Sequence, residues 1–491
     1  MYNKPSRPAS KTYEKKPVVK KPRVIRDWSK LQLDVFANLE NGVGNLQVDA
    51  KAGSGKTATL VECTFRIPDS KSILACAFNN SIQKELDERV KPGCVVQTLH
   101  SVGFAALRNA FKFVQIDNDG KLRRHIDKFV SDDLEYAPEL KPILKKTIDL
   151  CKCNLAHSYN DIINVVDKYG IEVDCIPEDR FVGLVINIMN SCKSEKTVID
   201  FTDMIWLPVV LNLSFAKYDY VFIDEAQDLN KCQTEIALKS VKSGGRIISL
   251  GDEFQAIYGF AGADSNSIPN IVSRLNSKRL PLSISYRCPK NIIKKAQEIV
   301  PSIEYAPNAK DGQVIDLPED KLIETVKKKD VILSRTNAKL VSICMKLLKN
   351  KIPAKIVGRD IGNGLTSLVK KSKARDINSL IEYVNAWKTK ECDKLIARDK
   401  DCSNIIDKAE CIVALSEECD TVQDLFNTLE NLFSDDSSDN VVTLSSVHRF
   451  KGKEANNVFV MTSTLRSSNQ EEKNIAYVAF TRSLDTMYNV A

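Results

Sequence analysis

Eight residues, Ala50–Thr57 (AKAGSGKT), carry the most specific chemistry in this sequence. Gly53 and Gly55 allow a tight backbone turn whose N–H groups converge on an anion. Lys56 is long enough to reach terminal phosphates, and the Thr57 hydroxyl suits Mg²⁺. The strict phosphate-loop pattern opens with Gly, and Ala50 stands there instead. A Gly/Ser turn with an exposed lysine is the bland alternative. Against it stands a second constellation, Tyr220–Asp228 (YVFIDEAQD), in which a β-prone run delivers Asp224 and Glu225 side by side. Asp224 is placed to hold Mg²⁺, and Glu225 to orient and deprotonate an attacking water. Adjacent acids after a strand are often a helix N-cap. Following a phosphate loop, they are expected to be catalytic.

Such a site needs strand, loop and helix in that order, and the flanks provide them. Leu46-Gln47-Val48 reads as a buried strand and Ala58–Phe65 as a helix whose N-terminus faces the same anion. Upstream, Gln32 lies three residues after Ser29. Its amide can close a capping box or read a base edge, and the sequence leaves both open. Further strand-like runs end in polar residues: Ser72–Phe78 before Asn79, Cys94–Thr98 before His100, Ile247–Gly251 before Gln255 and Phe260, and Leu280–Ser285 before Tyr286 and Arg287. Parallel sheets carry ligands at the carboxyl ends of their strands, so these endings are candidates for one functional face. Phe260 is either a core plug or a platform on which a base stacks.

The expected fold is α/β, with two P-loop-type domains built on parallel sheets, each carrying a mainly helical insertion. The expected boundaries are a tail over 1–26, a first domain over 27–275 with helices at about 102–200, and a second over 276–491 with helices at about 371–438. Second-domain strands are expected at Val331–Ser334, Ile352–Val357, Val441–Leu444, Asn457–Met461 and Ala476–Phe480. Ser434–Asp439 reads as a solvated linker.

With 491 residues, the chain has room for several domains. No apolar run is long enough to span a bilayer and no signal-peptide pattern is present, so a cytosolic protein without membrane attachment is expected. The fourteen cysteines are scattered. Neither Cys151/Cys153/His157 nor Cys392/Cys402/Cys411/Cys419 has paired zinc spacing, which favours ordinary thiols. Residues 1–26 hold nine Lys/Arg against the single acid Glu14, an excess of eight beside +7 for the whole chain. This Pro-containing tail is expected to be disordered, and serves either as a salt-sensitive nucleic-acid arm or as a solubilising tail.

Eight motifs occur in order: AGSGKT, AFNNS, TLHS, FIDEAQD, LGDEFQAIYGFAGA, ISYR, SSVHRFKGKE and YVAFTRS. Together they resemble superfamily 1 helicases of the UvrD/Rep type along nearly the whole chain after the tail. AFNNSIQKEL and IDEAQDLN are most similar to the F-box DNA helicase branch, although no F-box segment is evident.

The resemblance implies two RecA-like domains with ATP and Mg²⁺ held between them. Ala50, Lys51, Ala52, Gly53, Ser54, Gly55, Lys56 and Thr57 would cradle the phosphates, with Thr57 and Asp224 at the metal. Gln32 would read adenine, Tyr286 stack on it and Glu454 bind the ribose. Gln255, Arg287 and Arg482 would touch the γ-phosphate, the arginines acting as fingers in cis. Phe78, Asn79, Thr98, His100, Phe260, Ser446 and His448 would line single-stranded DNA. The GDEFQAIYGF form resembles the 3′→5′ branch.

The sequence departs from the family at Ala58 and Ala261, where arginines are usual, and at Lys453, where Leu is usual. The chain ends soon after the last expected strand, and no fused nuclease is expected. The expected activity is an ATP-dependent 3′→5′ DNA helicase acting on single-stranded and tailed duplex DNA, alongside replication, repair or recombination proteins. The rival readings are a translocase that displaces bound proteins and a nucleic-acid-binding scaffold with a vestigial ATPase.

Overall fold

The computed structural model describes residues 20–23, 26–118, 120–396, 402–434 and 440–491. Two parallel sheets organise it. The first has six strands in the order Val95–Thr98, Ile73–Ala77, Tyr218–Ile223, Val241–Gly251, Leu46–Ala50 and Lys278–Leu282. The second has seven, in the order Gln313–Leu317, Ser483–Val490, Ala455–Met461, Val331–Ser334, Val442–Ser446, Ala354–Val357 and Phe433–Ser434. Both read as near-continuous apolar runs because helices cover both faces.

On one face of the first sheet, Leu46, Val48, Ile73 and Phe222 pack against Val35, Phe36 and Leu60 of the helices Lys30–Asn41 and Lys56–Arg66. On the other, Leu74, Val221 and Ile223 join the apolar faces of the helical insertion, including Leu144, Ile148, Val185 and Trp206. A separate cluster joins the two domains: Ala52 and Ile257 pack with Ile292, Val447, Ile475 and Tyr477.

The expected boundary at 275/276 falls too early, because the strand Lys278–Leu282 pairs with Leu46–Ala50 and completes the first sheet. Ala476–Phe480 is not a strand but the end of the helix Gln470–Phe480, capped by the Asn469 side chain. Its residues from Ile475 to Phe480 are all buried, and an apolar run buried all round shows neither the helical nor the strand period. The second group of helices begins at Arg359, ahead of the expected 371.

The first insertion contains a two-stranded parallel ribbon, Gln115–Ile116 with Val198–Ile199, and a buried charge lattice. There Lys121 meets Asp203 at 2.6 Å, and Lys152 meets Asp200 and Asp203 at 2.8 Å each. Removing one partner from such a lattice leaves an uncompensated buried charge.

The expected arm over 1–26 lies mostly outside the described residues, as does 435–439 of the expected linker. Where the arm is described, it is docked rather than free. Lys20 pairs with Asp87 at 3.0 Å, Lys21 with Glu88 at 2.7 Å, and Arg23 donates to both Glu62 oxygens. Among the described residues, no helix is long and apolar enough to cross a membrane.

Candidate nucleotide cleft and nucleic-acid interface

The strand Leu46–Ala50 lies inside its sheet, next to the edge strand Lys278–Leu282, and the chain turns through Gly53 (φ +74°) and Gly55 (φ +80°) into the helix Lys56–Arg66. A Cβ on Gly53 would lie 2.5 Å from Arg287 Cβ and 2.6 Å from Ser285 Oγ, so glycine is required by crowding as well as by conformation. The turn opens on a cleft of about 770 Å³ between the domains, lined by Gly53–Ala58, Asp224, Glu225, Gln255, Tyr286, Arg287, Glu454 and Arg482 among others. Ser54 Oγ is buried without a hydrogen-bond partner. An orphaned hydroxyl inside a turn of converging N–H groups fits a phosphate.

Lys56 Nζ lies 2.5 Å from Glu225, whose carboxylate also accepts from Gln227 Nε2 at 2.6 Å. Glu225 has φ +52°, the left-handed region, which costs a non-glycine residue about 1–3 kcal/mol. Burial alone would push its carboxyl up, but Lys56 and then Lys451 outweigh it and hold the group down at about 2. The ammonium of Lys56 is raised, because Glu225 and Asp224 outweigh desolvation. Asp224 goes the other way. Its burial outweighs Lys56 and pushes it up to about 6. The buried Asp224 carboxylate and the Thr57 hydroxyl line the same cleft, and hard oxygen donors of this kind fit Mg²⁺.

The opposite wall comes from the second domain. Arg482 is 1% exposed and donates to the Val478 carbonyl at 2.8 Å and to Thr481 Oγ1 at 3.1 Å. Burial, then repulsion from Arg287, lowers it to about 10. Arg287 pairs with Glu454 at 2.7 Å. Tyr286, 51% exposed, lies at the cleft rim. Gln255 donates from Nε2 to Asp252 at 2.9 Å. Lys51 reaches Asp252 at 3.4 Å and lies over the Phe254 ring, while the side chains of Ala50 and Ala52 are buried.

Gln32 closes the capping box. Its Oε1 accepts from the Ser29 N–H at 3.1 Å, and its Nε2 donates to Thr59 at 3.1 Å. Both ends of its amide are therefore engaged, and it ties the first helix to the loop helix.

Several residues in the cleft escaped the sequence reading. Lys451 Nζ lies 2.6 and 2.7 Å from the two Asp228 oxygens, donates to the Gln255 carbonyl at 2.6 Å and stands 4.8 Å from the Tyr258 ring. Burial, only partly offset by Lys451, raises Asp228 to about 6. The Tyr477 hydroxyl accepts from the Ala52 N–H at 3.0 Å and donates to Asp252 at 3.1 Å. Lys451 and Asp228 both lie within motifs noted above; the signal was the lysine beside Gly452 and the third acid of FIDEAQD.

Of the residues expected to line a nucleic-acid track, three rings, Phe78, Phe260 and His448, fall in one row with a fourth, Tyr258, that the sequence reading did not include. Phe78 stacks on Tyr258 at 5.9 Å, Tyr258 leads to Phe260 at 6.4 Å, and Phe260 meets His448 edge-on at 5.3 Å. Phe260 is 61% exposed, so it is not a core plug. His448 is held down at about 4 by burial, then by Arg335 and Lys451. His100 sits apart from this row, its ring 4.6 Å from that of Phe201. Asn79 and Thr98 cap the helices Asn80–Arg89 and Leu99–Ala110, and Ser446 is buried at the start of Val447–Phe450.

Comparison with known proteins agrees with this fold. Residues 32–275 match the model of the UvrD/REP helicase N-terminal domain, and residues 441–488 match that of the UvrD-like helicase C-terminal domain. The chain is 26% identical over 284 residues to the ATP-dependent DNA helicase PcrA of Staphylococcus aureus and to that of Staphylococcus epidermidis. The match covers 52% of this chain and 38% of each relative, so the chain spans well under half the length of the curated relatives it matches. The two matched segments supply the opposite walls of one cleft, and on that ground the chain belongs to the UvrD/REP helicase family.

Proposed function

We propose that this protein hydrolyses ATP to move 3′→5′ along single-stranded DNA and to unwind duplex DNA ahead of it. The observation that carries the proposal is the shared loop. Gln255 faces the nucleotide cleft, and five residues later Phe260 is exposed in a row of rings that crosses from the first domain to His448 of the second. A movement at the γ-phosphate is thereby linked to a stacking platform. Base–aromatic stacking is worth about 1–3 kcal/mol per base and tolerates any sequence, as a motor requires.

In this reading the N–H groups of the Gly53–Gly55 turn and Lys56 bind the phosphates. Glu225, released from Lys56 as the γ-phosphate takes its place, orients a water and accepts its proton. Arg287 and Arg482 meet the charge that develops in the transition state. Thr57 and Asp224 would hold Mg²⁺, which when bound offsets phosphate charge. Tyr286 would stack on the base. Gln32 could read adenine only by giving up Thr59.

The 3′→5′ direction rests on the GDEFQAIYGF form. The curated relatives are DNA helicases by name, which supports DNA as the track. A second reading, a translocase that strips bound proteins with little unwinding, is favoured by the modest size of the second insertion. Its described part is four helices between Arg359 and Leu432. The ATPase rate with and without single-stranded DNA, measured beside unwinding of 3′- and 5′-tailed duplexes, tests both. DNA-stimulated hydrolysis with unwinding of the 3′-tailed duplex alone is expected. Stimulation without unwinding selects the translocase. Hydrolysis indifferent to DNA overturns both.

A further inference from the structure

Many cations of the first insertion have carboxylate partners: Arg124 with Asp117, Lys141 with Asp127 and Asp132, Lys121 and Lys152 with Asp200 and Asp203. Arg108, Lys112 and Lys196 do not. All three are exposed, and none has a carboxylate within ion-pair distance among the described residues. Arg108 lies over the Phe104 ring and Lys196 over the Phe111 ring, so aromatic faces hold two of these charges at the surface. Among them Phe113 is 81% exposed and Ile116 44% exposed. The nearest acids in sequence are engaged elsewhere, Asp117 with Arg124 and Glu195 with His125.

The ribbon places this patch. Gln115 pairs with Val198 and Ile116 with Ile199, in parallel, and the Gln115 N–H donates to the Thr197 carbonyl at 2.7 Å. Two residues back from the Gln115–Val198 pair along both chains, the same register sets Phe113 beside Lys196. Forward, Asn118 runs beside Phe201. These last two line a hollow of about 300 Å³ together with Ala261, the residue after Phe260. The ribbon therefore connects the aromatic row to the unpaired cations. Phe201 and Lys196 are five residues apart, about 16 Å of extended chain.

We propose that the surface formed by Arg108, Lys112, Phe113, Ile116 and Lys196 is a second nucleic-acid contact, which takes the single strand as it continues past the aromatic row. An exposed ring suits an unpaired base, whose face is free to stack, and three cations without carboxylate partners attract a phosphate backbone without reading sequence. The proposal rests on the reading that the aromatic row holds single-stranded DNA.

The test compares the whole chain with Phe113→Ala and with Lys112→Glu/Lys196→Glu. Binding is followed by fluorescence anisotropy on an oligothymidylate just long enough to cover the aromatic row, and on strands extended by a few nucleotides at either end. All of these substitutions are at exposed positions, and the DNA-free ATPase rate should be unchanged. The wild-type chain should gain affinity when the strand is extended at one end. Phe113→Ala should lose roughly tenfold on that longer strand and nothing on the short one, with Phe113→Trp restoring it. The double charge reversal should lower the slope of log K against log salt by about 1 to 1.5. Equal length dependence in wild type and variants overturns the proposal while leaving the aromatic row intact. Failure of the wild-type chain to bind even the short strand removes the row, and the proposal with it. A loss confined to tailed duplexes reassigns the patch to duplex DNA and overturns the single-strand assignment.

Discussion

Lys56 and Arg482 face one cleft from opposite domains and are held by different kinds of partner. Lys56 sits on a carboxylate, Glu225, 2.5 Å away. Arg482 is buried and held by a carbonyl and a hydroxyl, with no carboxylate among its described hydrogen-bond partners. The first cation is neutralised, and in the proposed mechanism it would exchange its partner when phosphate arrives, leaving the carboxylate free to act on water. The second keeps its full charge in a poorly hydrated place, where a field acts strongly on any anion brought close. On the proposed mechanism, one wall would serve binding and release, the other a charge that exists only briefly.

That contrast can be broken most sharply at Lys56. Lys56→Ala should abolish hydrolysis and nucleotide retention together, seen as loss of both DNA-stimulated ATPase and fluorescent-nucleotide binding. Retained turnover would leave the first wall without its assigned role. Arg482→Ala should separate the two properties, with kcat down on the order of a thousandfold and nucleotide affinity largely kept. Weakened binding with an intact kcat would place Arg482 on the ground-state side and erase the distinction. Glu225→Gln should bind nucleotide normally and slow single-turnover hydrolysis at least ~100-fold. Near-normal turnover in that variant would mean that the exchange at Lys56 activates nothing.

The smallest effect concerns acidity, and here the cleft acids and His448 of the aromatic row differ in sign. Asp224 and Asp228 are raised to about 6, so the native state holds protons that the unfolded chain lacks, and acidification through that range favours folding. His448 is lowered to about 4 from an ordinary value near 6.5. Its contribution is full above pH 6.5 and is lost as pH falls from 6.5 towards 4, because the unfolded chain takes the proton first. Relative to wild type, His448→Gln should therefore gain about 1 kcal/mol on going from pH 7.5 to 5.5, read from urea denaturation midpoints. A constant difference between the two chains across that range would show that His448 titrates normally.

What the sequence revealed of this site was its local part. Strand, glycine turn and helix are contiguous, so the neighbourhood of Gly53, Lys56 and Thr57 was legible, and the run Tyr220–Ile223 announced Asp224 and Glu225. Lys451 and Asp228 were missed as a pair because 223 positions separate them and no local pattern encodes their meeting. Gln32 was left open between two roles, and the hydrogen bond to Thr59, 27 residues away, shows what else its amide does. Ala476–Phe480 misled because a helix wedged between domains is apolar on every side. Lys20, Lys21 and Arg23 read as part of a free arm because their partners on the helix Asn80–Arg89 and at Glu62 are set by tertiary structure alone.

The strand order of the first sheet has a consequence for how the chain is made. Leu46–Ala50, the strand that presents the phosphate loop, lies between Val241–Gly251 and Lys278–Leu282. Neither neighbour exists when that strand leaves the ribosome. At about 5–20 residues per second, more than 200 further residues take on the order of 10 to 50 s to appear. For that interval an apolar strand waits with both of its edges unpaired while the helical insertion is still being made. Closure of long-range parallel pairings is intrinsically slow and leaves such edges open to other chains. The same position between two late strands that aims the loop into the cleft makes it among the last parts of the first domain to be secured, and leaves this strand dependent on protection during synthesis.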